Sequence, residues 1–285
     1  MIPESPQATN RREIAMSRRG VLLSIAAVFL AASAQAQAPR ITYETEEQAR
    51  SRRALELAVQ LTAKLPQLLE RFQAGREAIA RAERSGADPV PMVRKLLDST
   101  EAELRGEVDS PDYAPLRDKV AAVFQQARAE LGLLDAKSTY RRWPAGVAFA
   151  SFSRQDADRE AVLNEIASFL RRFLDLAQGK DLVVDLCVVS QPLKEAVLNM
   201  SPPSEPLSIT HGRTPTKLLH LFRGLYAYSI AGKGRTIQCQ PPKGTVAPCL
   251  ADLWTASKPT LDCNFDLSDC SASEGWPAAC EKRGR

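Results

Sequence analysis

An α+β fold is predicted by this 285-residue sequence: a helical bundle at residues 40–178, then a disulfide-stapled β-sandwich at 180–285. Three observations carry the prediction. Residues 40–135 are rich in Ala, Leu, Arg and Glu and poor in β-branched side chains, the texture of helices. From residue 181 the chain breaks into short apolar runs separated by Gly and Pro, as strands and turns do. All six cysteines lie at or beyond Cys187, so any cross-links are confined to the β half.

The helices follow in order. Thr45 and Gln48 form a capping-box start, in which each side chain satisfies an amide the helix leaves open. Leu55, Val59, Leu61, Leu65, Leu68, Leu69 and Phe72 then recur at helical spacing. Pro66 interrupts that pattern, which predicts a kink or a split there. Ser85-Gly86 ends it. A second helix spans residues 91–105. A third starts at Ser110-Pro111, since proline suits a first helical turn. A fourth spans 156–178, with Gly179 as its carboxy-terminal cap. The connector Tyr140-Arg141-Arg142-Trp143-Pro144 is aromatic and basic. The apolar stripes read as a bundle core, and the interleaved Arg and Glu as a solvated face with i, i+4 pairs.

In the β half, residues 182–189 are short, apolar and β-branched, hence a strand. Residues 196–200 form another. The cluster Ser201-Pro202-Pro203-Ser204-Glu205-Pro206 cannot serve a central ladder and reads as a loop. Residues 207–210 and 218–222 are further strands. Tyr226, Tyr228 and Ile230 alternate onto one face of a strand at 225–230. Gly232-Lys233-Gly234 then turns the chain into residues 235–239, a hairpin. Residues 250–254 and 261–265 are the strand candidates of the tail.

Ser190-Gln191-Pro192, Ala196-Val197, Gly212-x-Thr214-Pro215 and Leu221-x-x-Gly224-x-Tyr226, with Gly232 and Gly234 beyond, resemble the PEGA repeat of bacterial surface proteins over residues 182–238. Carboxypeptidase regulatory-like domains share much of this pattern. Leu193-Lys194-Glu195 stands where that family has Gly. The resemblance implies a small noncatalytic β-sandwich and transfers no catalytic residue.

Residues 1–36 read as a signal peptide. Met16-Ser17-Arg18-Arg19 precedes a fifteen-residue apolar run and Ala34-Gln35-Ala36, a small-x-small cleavage site. Translation starts at Met1 or Met16. Ser17-Arg18-Arg19-Gly20 also resembles a twin-arginine signal, so the Sec and twin-arginine routes both stay open. The expected location is periplasmic or secreted, with no membrane span after cleavage. Removing residues 1–36 takes four basic and two acidic residues from 38 and 34, leaving 34 against 32, a net charge of +2. A near-neutral chain argues against nucleic acid as a partner.

Six cysteines behind an export signal imply a disulfide framework with fifteen possible pairings. The expected set is Cys239–Cys249, Cys270–Cys280 and Cys187–Cys263. No Cys-x-x-Cys pair supports a metal site. Asp262, Asn264 and Asp266 follow a calcium-loop start, but Leu267 and Ser273 occupy its glycine and glutamate positions. His211 and His220 have no nucleophile elbow or zinc motif beside them. No catalytic residue, metal or cofactor is therefore expected. The expected function is an exported, noncatalytic envelope protein that binds or scaffolds a protein or glycan. Exposed Tyr226, Tyr228, Trp254 and Trp276 are its candidate contact residues. A secreted hydrolase without a recognisable motif, or a structural protein forming homo-oligomers through its helices, are the alternatives.

Overall fold

The structure is a computed structural model that describes residues 44–133, 159–207, 210–237 and 249–281. The leader at 1–36, the connector at 140–144 and Cys239 lie outside the described residues.

Helix α1, Glu46–Arg84, begins with the expected capping box: Gln48 N donates to Thr45 Oγ1 at 3.2 Å, and Thr45 N to Gln48 Oε1 at 2.9 Å. It runs unbroken for 39 residues through Pro66. An interior proline costs about 3 kcal/mol. Fully burying one leucine contributes about 1.5–3 kcal/mol, and Leu57, Leu61, Leu65 and Leu68 are all buried on both sides of the proline. Burial therefore wins and the helix does not split.

Helix α2, Val90–Glu107, and α3, Ala114–Glu130, follow, with a 3₁₀ turn at Pro111–Tyr113 leading into α3. Helix α4 is Arg159–Gly179. Its end differs from expectation. Gly179 is still helical, and Lys180 takes the left-handed position at φ 59°. Lys180 N donates to Ala177 O at 3.1 Å and Asp181 N to Leu176 O at 2.8 Å, a Schellman ending.

Among the described residues nine strands form two sheets. Strands β1 (Val183–Gln191), β4 (Thr216–Phe222), β8 (Pro259–Asn264) and β9 (Asp269–Glu274) make the first, in the order β4-β1-β8-β9. Only its β1–β8 pair is parallel. Strands β2 (Val197–Ser201), β3 (Thr210–Arg213), β5 (Leu225–Gly232), β6 (Arg235–Ile237) and β7 (Cys249–Asp252) make the second. There β5 is central: β2 flanks one side, while β6 and β7 share the other. A short helix, α5 (Ala278–Glu281), closes the described chain.

One apolar core joins the sheets, built from Val184, Leu186 and Val188 of β1 against Leu198, Met200 and Ile230. A second core fills the helices and reaches into the β half through Leu182, Phe222 and Trp254. Residues Thr45–Arg285 thus cluster as one unit. The Trp254 ring meets Phe169 at 5.0 Å in a tilted contact and Phe173 at 5.2 Å edge to face. Lys119 of α3 meets Asp252 of β7 at 2.7 Å with its side chain only 8% exposed.

The turn Arg223-Gly224 carries the chain from the first sheet to the second. Arg223 is buried and donates to three carbonyls: Asp181 O at 2.6 Å, Ala256 O at 2.6 Å and Trp254 O at 3.4 Å. Burial, and the Arg172 cation nearby, lower its guanidinium pKa. The β5–β6 hairpin turns through Lys233 and Gly234 at φ 48° and 76°, the double positive φ of a type I′ turn.

Candidate functional site

Ser190, Ala196 and Thr214 converge at one end of the first sheet. Thr214 is 1% exposed. Its hydroxyl accepts from Ala196 N at 3.1 Å and meets the Ser190 hydroxyl, which also donates to Leu193 O. Thr214 N donates to Ala196 O at 2.9 Å and Glu195 N to Thr214 O at 2.9 Å. The Gln191–Pro192 and Thr214–Pro215 bonds on either side are both cis. These hydroxyls clasp two turns together and are spent on structure.

The clasp borders a cleft of about 840 Å³ on the outer face of the first sheet, within the range of small-molecule sites. Strand alternation decides which side chains reach it. Val184, Leu186 and Val188 point into the core, so Asp185, Cys187, Val189 and Gln191 point outward. The register sets Cys187 beside Lys217 and Thr260, Val189 beside Asp262, and Thr260 beside Ser273. The floor is therefore polar and the opposite face is the core.

A strap forms the other wall. Gly275, Trp276, Pro277 and Ala279 all line the cleft. Gly275 N donates to Lys258 O at 2.9 Å and its carbonyl accepts from Thr260 Oγ1 at 2.7 Å. Trp276 packs under the Lys217 ammonium, 3.9 Å from the ring centre, with Lys258 at 5.7 Å. The Cys187–Cys280 disulfide pins the far end of the strap to β1. Glu274 accepts from Ser257 N at 3.3 Å and Lys258 N at 3.1 Å.

Of the four expected contact residues, only Trp276 reaches this cleft. Tyr226, Tyr228 and Trp254 are 6%, 3% and 5% exposed, so they are no contact surface. Tyr226 Oη donates to Phe222 O at 2.9 Å. Burial raises both phenol pKa values, and the Asp269 carboxylate adds to the rise at Tyr228. The alternation of β5 was legible, but the face that carries Tyr226, Tyr228 and Ile230 is turned into the core between the sheets.

Two of the expected disulfides are also corrected. Cys187 pairs with Cys280, and Cys263 with Cys270, in place of Cys187–Cys263 and Cys270–Cys280. Cys263 and Cys270 are direct cross-strand neighbours, a register that requires β9, and β9 has no apolar pattern to announce it. Cys249 is disulfide-bonded.

His220 sits in a bulge of β4 at φ 53°, opposite Asp185. Asp185 accepts from the His220 main-chain N at 2.9 Å, not from the imidazole, whose buried Nδ1 has no partner. That carboxylate does not orient a catalytic base. His211 falls in β3. Asn264 Oδ1 accepts from Asp266 N and Leu267 N, and Asp266 pairs with Arg235 at 3.3 Å, so the calcium-like triplet is a turn. Among the described residues no three metal-ligating side chains cluster.

No residue pattern points directly to the cleft. Its floor comes from strand register, and its second wall from a disulfide partner that sequence does not choose. No protein-family model, curated protein or solved structure matches this chain. No helix among the described residues is long and apolar enough to cross a membrane.

Proposed function

We propose that this chain is an exported, noncatalytic envelope protein whose PEGA-like β half binds or scaffolds a protein or glycan partner at the cleft beside Trp276. The observation that carries the reading is a division of labour. The hydroxyls of Ser190 and Thr214 are consumed by the clasp, while the cleft next to it is lined by the side chains of Gln191, Lys194, Asp262 and Ser273, which make no hydrogen bond among the described residues. Export is supported by the leader pattern at residues 16–36 and by the absence of a free cysteine among the described residues.

Retention of envelope components on the purified, oxidised protein tests this. A specific component is retained by the wild type and lost from Trp276→Ala. Turnover in a hydrolase substrate screen, with nothing retained, contradicts the reading.

Self-association through the helices is a second reading, favoured by one observation. Leu55 and Val59 lie one turn apart on α1 and are 44% and 65% exposed. A monomer in light scattering, unchanged by Val59→Lys, removes that reading.

A further inference from the structure

We propose that the cleft takes a short, uncharged oligosaccharide, held by Gln191, Lys194, Asp262 and Ser273 and walled by the disulfide-latched strap at Trp276. The inference rests on the binding reading above and names the ligand class. All four of these side chains line the cleft. Among the described residues none of these four side chains makes a hydrogen bond or ion pair, whereas the Thr260 hydroxyl and the Glu274 carboxylate beside them are already engaged. Together the four offer an ammonium, a carboxamide, a carboxylate and a hydroxyl, hence donors and acceptors in mixture. Lys194 and Asp262 balance in charge. A ligand whose groups each donate and accept, and which carries no net charge, is the complement. Sugar hydroxyls have that character.

Apolar surface accompanies the polar set. Pro192 and Pro215 from the clasp, with Trp276 and Pro277 from the strap, flank the floor. Small-ligand sites combine such apolar walls with a few placed polar groups. The C–H faces of a sugar ring suit these walls while its hydroxyls meet the floor.

An extended peptide is disfavoured by the ladder. Strand addition needs a free main-chain edge. Within the first sheet β1 is paired by β4 and β8, and β8 by β1 and β9, so the strands that carry Gln191 and Asp262 expose no such edge. Recognition over β1 and β8 runs through side chains, and among the strands that line the cleft only the outer edge of β9 offers main chain.

The test is calorimetric titration of the full, oxidised protein with neutral trisaccharides of glucose, mannose, galactose and N-acetylglucosamine. A uronic-acid trisaccharide and a proline-rich peptide serve as controls. At least one neutral sugar binds, and Asp262→Asn and Gln191→Ala each weaken it roughly tenfold or more, as loss of a ligand hydrogen bond to a charged or fixed polar group does. Trp276→Ala, on the strap, weakens it too. The Cys187→Ser/Cys280→Ser pair abolishes binding while the fold persists. Should that pair fail to fold, the Asp262 and Gln191 variants still decide. Binding of no neutral sugar, binding untouched by both floor variants, or preference for the acidic sugar or the peptide overturns the inference. If the envelope component is still retained through Trp276 in any of those cases, only the ligand class is wrong and the binding reading stands.

Discussion

A Cβ on Gly224 would lie 2.2 Å from the carbonyl oxygen of Pro115. The turn between β4 and β5 therefore meets the first turn of α3 main chain against main chain, and Gly224 holds φ at 138°, where L side chains are strained. Both effects oppose any side chain. We expect Gly224→Ala to cost about 3 kcal/mol or more, from backbone strain plus overpacking. Urea unfolding followed by far-UV circular dichroism measures it, and helix and sheet signals fall together because one core spans both. Unchanged stability contradicts this contact.

Arg223 is the next test of the same junction. Its guanidinium holds the carbonyls of Asp181, Trp254 and Ala256 at the helix–sheet boundary. Hydrogen bonds from a charged group contribute about 1.5–3 kcal/mol each, and orphaned buried carbonyls add their desolvation cost. Arg223→Met is expected to cost about 3 kcal/mol in urea unfolding. Arg223→Lys does not restore it, since a point ammonium cannot span the fork.

The two assigned disulfides differ in the loop each closes. Cys187–Cys280 spans 93 residues and Cys263–Cys270 only 7. On chain entropy the long bridge contributes roughly 4–5 kcal/mol and the short one roughly 2–3 kcal/mol. Removing each pair by Cys→Ser substitution and comparing thermal midpoints gives a larger drop for Cys187/Cys280. The reverse order contradicts the pairing.

Asp118 predicts a pH dependence. It is buried on α3, and burial raises its carboxyl pKa although Ser204 N donates to it at 2.9 Å and Arg117 and Arg105 stand near. The folded chain thus holds this proton more tightly than the unfolded one, whose value is about 3.9. Its stabilising contribution is full below that value and is lost as pH rises through the folded value. Asp118→Asn keeps an acceptor for Ser204 and has nothing to ionise. The variant gains on the wild type as pH rises from about 4 to about 7, read from urea midpoints at each pH. A constant difference refutes the burial effect.

How much of this was legible beforehand follows from periodicity. The helices announced themselves through Leu61, Leu65, Leu68 and Phe72, and the capping box through Thr45 and Gln48, but Leu55 and Val59, expected on the same stripe, are exposed and Leu57 is buried in their place. Strands with an apolar side, such as β1 and β5, were equally clear. Strand β9 was invisible because Asp-Cys-Ser-Ala-Ser-Glu is polar throughout and owes its conformation to β8 and a cross-strand bridge. Strand β3 lies at Thr210–Arg213, later than residues 207–210, because Leu198 pairs with Gly212 and fixes the register from across the sheet. Trp254 looked like a contact residue because its ring partners, Phe169 and Phe173, lie some eighty residues away in sequence. Long-range packing leaves no local mark.

The account depends most on the strap being latched to β1, since that makes an outer sheet face into a cleft. Mass-spectrometric mapping of a non-reduced digest tests it directly. We expect a peptide containing Cys187 joined to one containing Cys280, and Cys263 joined to Cys270. A Cys187–Cys263 linkage, or free thiols at Cys187 and Cys280, contradicts it.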